Sequence, residues 1–227
     1  MAVCECYEKA RQLHAEGVHV ISTDEKTSIQ ALERLHPSLP MEPGKRSREV
    51  QEYEYIRHGT RCLIANFEVA TGRIIAPSIG QSHTNEDFAS HIEKTIATDP
   101  GAGWVFVVDQ LNIHQSEMLV KLVAKELGIE LAVDGKGNLK LMKAMASRRT
   151  FLADPANRIR FVYTPKYTSW LNQVELWFSI LARRLLKRGS FTSVEDLHQR
   201  ILEFIEYFNR TMAKPFKWTY MGRPLEI

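Results

Sequence analysis

Three acids are the residues of this sequence best placed to do chemistry: Asp24, Asp109 and Glu175. Asp109 follows Val105 to Val108, an unbroken apolar run. A strand that is apolar on both faces belongs inside a covered, usually parallel, sheet. Its terminal acid then sits at the edge where α/β proteins commonly place ligands. Asp24 ends a second candidate strand that starts at Val18. If the two strands are parallel neighbours, their aspartates lie about 5 Å apart. Carboxylates that close repel each other unless a cation sits between them, and hard oxygen ligands select Mg²⁺ or Mn²⁺ over zinc. Glu175 flanks a helical stripe of Leu171, Val174, Phe178, Leu181 and Leu185, less than two turns in, so it can point at the sheet edge. Asn172, one turn earlier on that flank, could orient it or contact a phosphate. Each acid also has a plainer role open to it. Asp109 could cap the next loop or helix, and an acid near a helix start is favoured by the macrodipole. Spacing leaves both roles open.

The elements that must position these acids follow from periodicity. Residues 2–16 predict a short helix with Val3, Tyr7, Ala10 and Leu13 on one face and Gly17 as its stop. Val18 to Glu25 predicts a strand. Ala31 to Thr60, polar and with Pro37, Pro40, Pro43 and a Lys45-Arg46-Ser47-Arg48 run, predicts a mobile excursion outside the core. Cys62–Val69 and Arg73–Ile79, joined at Thr71-Gly72, predict a hairpin. Thr84 or Asn85 caps a helix through Thr98. The central strand to Val108 follows, then a helix over 116–127, a short basic helix near 139–151 and a strand over 159–163. A long helix from Ser169 to Lys187 ends at Gly189, and another spans 194–212. The order predicts a mixed α/β sheet with helices on both faces.

With 227 residues, the chain can bury a sizeable core. No apolar run reaches bilayer length and no secretory h-region opens the sequence. Cys4, Cys6 and Cys62 lack zinc-site spacing, which fits a reducing cytoplasm. There is no G-x-S-x-G elbow and no P-loop. The net charge of +3 is unevenly spread. Between Lys136 and Arg188, twelve Lys or Arg stand against two acids, Asp154 and Glu175. A block this one-sided points to a polyanion, because each phosphate contact releases counterions and makes binding salt-dependent.

The stretch Tyr163-Thr164-Pro165-Lys166-Tyr167-Thr168-Ser169-Trp170-Leu171-Asn172-Gln173-Val174-Glu175, with Val107-Val108-Asp109-Gln110-Leu111-Asn112-Ile113-His114, closely resembles the catalytic domain of DDE transposases. The resemblance is to the insertion-sequence 630 family, bacterial relatives of the mariner elements. It extends to Ser22-Thr23-Asp24-Glu25 and to Phe208-Asn209-Arg210 through Trp218. It implies a ribonuclease H-like fold over 18–190, a linker helix over 1–17, and a C-terminal helix and tail over 191–227 packed on the same domain. It further implies two Mg²⁺ or Mn²⁺ ions held by Asp24, Asp109 and Glu175. The implied reaction is cleavage at transposon ends and strand transfer into target DNA, by a homodimer in the bacterial cytoplasm. The 66 positions from Asp109 to Glu175 are about twice the family's usual interval, and a basic insertion over 128–157 makes up the difference. Family members normally carry an N-terminal helix-turn-helix region, so the chain resembles a partial transposase. A stand-alone nuclease or resolvase and a non-catalytic DNA-binding remnant are the alternatives.

Lesser signals complete the expectation. Asn112 and His114 are candidate substrate or supporting groups, with capping or packing the other role for His114. Glu25 is a neighbour of the site. Candidate DNA contacts are Lys136, Lys140, Lys143, Arg148, Arg149, Lys166, Arg183, Arg184, Lys187 and Arg188. The last four also suit a helix C-terminus. Asp134-Gly135-Lys136-Gly137-Asn138 predicts a turn, and Trp170 and Trp177 are assigned to the core.

Overall fold

The computed structural model describes residues 3–36, 39, 41–45, 47, 54–140 and 142–220. A five-stranded sheet in the order β3-β2-β1-β4-β5 forms its centre. The strands are β1 (Val18–Arg34), β2 (Tyr55–Glu68), β3 (Ile74–Gly80), β4 (Gly103–Val108) and β5 (Ile159–Tyr163). β1, β2 and β3 pair antiparallel, whereas β4 runs parallel to both β1 and β5. This is the mixed ribonuclease H-like sheet that the sequence predicts.

Strand parity decides which helices cover which face. Val20 of β1, Val105 and Val107 of β4, and Leu63, Ala65 and Phe67 of β2 pack with α1 (Val3–Ala15), α5 (Val174–Leu181) and α6 (Val194–Thr211). The intervening Ile21, Ile64, Trp104, Phe106 and Val108 meet α2 (Asn85–Ile96), α3 (Glu117–Leu127) and α4 (Met145–Leu152). The helix ends follow their local chemistry. Thr84 and Asp87 form a capping box at the start of α2, Ser116 caps α3, and Gly128 closes α3 in the left-handed conformation.

Several expectations change. β1 continues to Arg34 and β2 begins at Tyr55, so Asp24 lies within β1 and not at its end, the ends of the predicted excursion are a paired ribbon, and Ala31 is buried. The register shifts after Lys26, where Ser28 has φ +54°, and again after Gln30. These bulges let a polar ribbon leave the covered sheet. Pro37, Pro40, Arg46 and Arg48 lie outside the described residues. The basic helix is shorter than predicted, Met145–Leu152, and the segment before it folds as the expected turn. There, Asp134 accepts bonds from the Lys136 and Asn138 amides at 2.9 and 2.8 Å. Leu139 and Leu152 reach the second core, which packs this basic segment onto the domain.

The helix predicted over 169–187 is three pieces: a 3₁₀ turn at Ser169–Leu171, α5, and a π-helical turn at Ala182–Leu186. It breaks because Asn172 adopts an extended ψ of 110° and its side chain is bonded to β1. The last turn of α6 and the chain after it cross the β2–β3 hairpin. Asn209 exchanges two 2.8 Å bonds with the backbone of Ile74, and Phe216 stacks on Phe67 at 4.6 Å. Gly72, at φ +75°, is required there, since a Cβ would lie 2.0 Å from the Lys214 carbonyl oxygen. The expected core assignment holds for Trp177, fully buried, and fails for Trp170, which is 53% exposed. Trp170 is carried on the 3₁₀ turn and meets Tyr220 edge-to-face at 5.0 Å, off the stripe that α5 buries.

Candidate active site

Parallel pairing in register brings Asp24 and Asp109 to one edge. Val18 aligns with Gly103 and Ser22 with Val107. The same offset, carried two positions on, sets Asp24 beside Asp109. Both continue the parity of Val20, Val105 and Val107, so they project on the face that α5 covers. Glu175 enters that face as the second residue of α5. The electrostatics reflect the gathering. Burial, then the Glu25 and Asp109 carboxylates, push the Asp24 carboxyl up to about 7. Burial also raises Glu175, with Asp109 adding and Lys26 opposing. The three acids do not all close to within 4.8 Å of one another. Like charges on one edge repel, and Glu175 is partly exposed at the start of α5.

Asn172 holds the first corner. Fully buried, it donates from Nδ2 to the Thr23 carbonyl at 2.8 Å and to Asp24 Oδ2 at 3.2 Å. Its Oδ1 accepts from the Ser22 hydroxyl, whose oxygen accepts the Val174 amide at 2.9 Å. The Ser22–Asn172–Val174 arrangement therefore ties the start of α5 to β1. Tyr7 of α1 adds a 2.9 Å bond to the Leu171 carbonyl. The expected partner of Asn172 was Glu175 or a phosphate; its partner here is Asp24.

His114 holds the second corner. It follows Asn112 in a 3₁₀ turn, Asn112–Gln115, and is fully buried. Nδ1 lies 2.8 Å from Asp109 Oδ1, and Nε2 lies 3.1 Å from Glu25 Oε1. Burial alone would lower its pKa, but the hydrogen bonds to Asp109 and Glu25 raise it to about 10. Both ring nitrogens therefore donate at neutral pH. Burial works against the Asp109 charge, yet His114 and the Leu111 amide at 2.8 Å hold its carboxyl below the usual range. Both bonds fall on Oδ1, and among the described contacts Oδ2 carries none. Glu25, on the opposite parity from Asp24, thus reaches the site through His114.

Lys26 is the residue that sequence reasoning missed. It lies two positions after Asp24, on the same face, with its ammonium 5.7 Å from the Phe178 ring, and it offsets the charge of Glu175. Period-two spacing from Asp24 was the available signal.

A cavity of 460 Å³ opens beside Asp109, lined also by Gln110, Leu111, Thr164, Lys166 and Tyr167 among others. Tyr167 is 98% exposed at φ +64°, and Trp170 stands half-exposed nearby. The basic candidates divide into groups. Arg183, Arg184, Lys187 and Arg188 are exposed, and three of them line a 530 Å³ cleft with Ile180 and Met212. Lys136, Lys140 and Lys143 are exposed on the inserted segment. Arg148 and Arg149 are turned inward: Arg148 donates to the Gln115 carbonyl at 2.8 Å, and Arg149 covers the Tyr163 ring at 4.7 Å. Among the described residues, no helix is long and apolar enough to cross a membrane.

The sequence model of one family, described as DDE superfamily endonuclease, matches residues 19–198. Among solved structures, a Mos1 transposase paired-end complex with left transposon end is 12% identical. It covers 90% of this chain and 52% of its own, with a TM-score of 0.52. A pre-cleavage Mos1 transpososome is 10% identical, with the same coverage and a TM-score of 0.49. At such identity the likeness is one of fold, and this chain spans about half the length of those it matches. No curated protein matches at comparable stringency. With four-fifths of its length matched and with an acid-bearing sheet edge of the expected topology, the chain belongs to the DDE superfamily endonucleases.

Proposed function

We propose that this chain is the catalytic part of a DNA transposase of the insertion-sequence 630 type, with Asp24, Asp109 and Glu175 as its metal-holding acids. The observation that carries the proposal is the in-register alignment of Asp24 and Asp109 on the face that α5 covers, with Glu175 at the start of that helix. The donor set is three hard carboxylates, which fits Mg²⁺ or Mn²⁺. Two such ions, when bound, supply the charge that activates a water or 3′-hydroxyl and stabilises the leaving oxygen.

The chain's own residues prepare that chemistry. Asn172 fixes the Asp24 carboxylate, and protonated His114 fixes Asp109 through Oδ1. Glu175 completes the set from α5, and Lys26 limits the repulsion around it. Lys166 at the cavity is placed for a phosphate, and the exposed Tyr167 and Trp170 rings for unstacked bases. Arg183, Arg184, Lys187 and Arg188 extend the DNA track, and the active assembly is a homodimer on the element's terminal repeats and target DNA.

Joining of a 3′-hydroxyl end to target DNA, in Mn²⁺ and with end-containing duplexes, tests the proposal. Hydrolysis without joining would favour a stand-alone nuclease, and binding without either would favour a non-catalytic remnant.

Metal binding should also depend on pH in a direction that Asp24 sets. Its folded pKa, about 7, lies above its ordinary 3.8. The stability this group contributes is therefore full below pH 4 and is lost as pH rises through 7. A divalent ion must displace that proton, so Mn²⁺ should raise the unfolding temperature more at pH 8 than at pH 6. An equal rise at both would contradict the assignment of Asp24 as a ligand.

A further inference from the structure

Near the start of β1, five residues and about 16 Å before Asp24, two imidazoles and a carboxylate meet. His14 in the last turn of α1, His19 on β1 and Glu68 at the end of β2 each place one ligand atom within 4.8 Å of the others. Both Nδ1 atoms address one oxygen, Glu68 Oε1, at 3.4 Å from His14 and 2.6 Å from His19. The positive φ of Gly17, +78°, folds the end of α1 back against the start of β1, and the β1–β2 register, Ile21 opposite Glu68, supplies the third arm.

We propose that His14, His19 and Glu68 form a second metal site, for a borderline divalent transition ion such as Zn²⁺, separate from the acid edge. The donor set decides the ion class, because imidazole nitrogen suits zinc and its neighbours and not magnesium. The geometry is close to what such an ion needs. Tetrahedral zinc with bonds of about 2.0–2.2 Å sets its ligand atoms about 3.4 Å apart. The His14–Glu68 contact already has that value, and the His19–Glu68 contact has to open by about 0.8 Å.

The surroundings are also those of a ligating set. Metal-bound histidines commonly give their other ring N–H to a carboxylate, and His19 Nε2 lies 3.4 Å from Asp99 Oδ2. His19 is further fixed by stacking on Trp104 at 4.4 Å, and Glu68 Oε2 accepts from the Thr71 hydroxyl at 2.5 Å. Glu68 is 4% exposed, and among the described residues its ion pairs are with these two imidazoles. A buried carboxylate needs a cationic partner, and a bound ion supplies one. His14, 40% exposed at its side chain, leaves one side of the site to water. Occupied, the site would fasten the α1–β1 turn to the β2–β3 turn.

The test uses the full chain carrying Asp109→Asn and Glu175→Gln, so that the acid edge cannot answer for it. Equilibrium dialysis should find one Zn²⁺ per chain, retained in a large excess of Mg²⁺, and Co²⁺ should give the visible band of a tetrahedral site. Asp99→Ala should weaken binding by about 10-fold, and His14→Ala, at an exposed position, by about 100-fold or more. Absence of bound Zn²⁺, or equal affinity with and without the His14 imidazole, would overturn the site. DNA joining by the chain with its acids intact, in Mg²⁺ alone, reads the proposed transposase activity independently of this result.

Discussion

Asp109→Asn is expected to lower Mn²⁺-dependent nicking of end-containing DNA by about 10³-fold or more, the scale of losing a principal transition-state stabiliser. The substituted amide keeps an oxygen that can accept from the Leu111 amide and from His114 Nδ1, so the 3₁₀ turn and its buried histidine should persist. What it removes is the negative charge on the corner proposed to share a cation with Asp24. Thermal unfolding and DNA binding should therefore change little while cleavage collapses. Cleavage at the unsubstituted level, with metal dependence unchanged, would remove Asp109 from the active site.

Asn172→Ala should produce a large loss of another kind. It takes away the donor to the Thr23 carbonyl and to Asp24, and the acceptor of the Ser22 hydroxyl, all in a fully buried setting. Buried polar groups left without partners cost about 1–3 kcal/mol each, so a loss of about 3 kcal/mol is expected. In a chain of this size that corresponds to a fall of roughly 6–12 °C in unfolding temperature. At a temperature where both proteins are folded, the variant should also need more Mn²⁺ for half-maximal nicking, because Asp24 has lost its orienting bond. A variant with unchanged unfolding temperature and metal requirement would show that the Ser22–Asn172–Asp24 arrangement is incidental. Asn172→Asp should be worse than alanine, since it adds a carboxylate about 3 Å from Asp24.

Much of this protein is legible in sequence because the elements involved have strong periodic signals. The apolar run before Asp109 is buried on both faces, as its composition requires. The stripe from Leu171 to Leu181 packs as predicted, and the hairpin at Thr71-Gly72 forms where its turn residues allow. Expectations failed where a long-range contact overrides local preference. The polar ribbon of β1 and β2 persists to Arg34 and from Tyr55 because the two strands satisfy each other's backbone, whatever their side chains. The helix from Ser169 is interrupted because bonding to β1 outweighs helical continuity at Asn172. Trp170 is a large apolar residue that the 3₁₀ turn points away from the core, a direction that hydrophobicity cannot give.

By itself the sequence determined the mixed sheet and the order of its elements, and it singled out the three acids as candidates. Local periodicity, turn chemistry and motif carry that information. Only the tertiary structure decided the in-register parallel pairing that sets Asp24 beside Asp109. Nor could sequence place Glu25 against His114 across 89 positions, or Glu68 against His19 across 49. Such pairings depend on how strands align and which way each side chain faces, and a single chain read in order does not fix either.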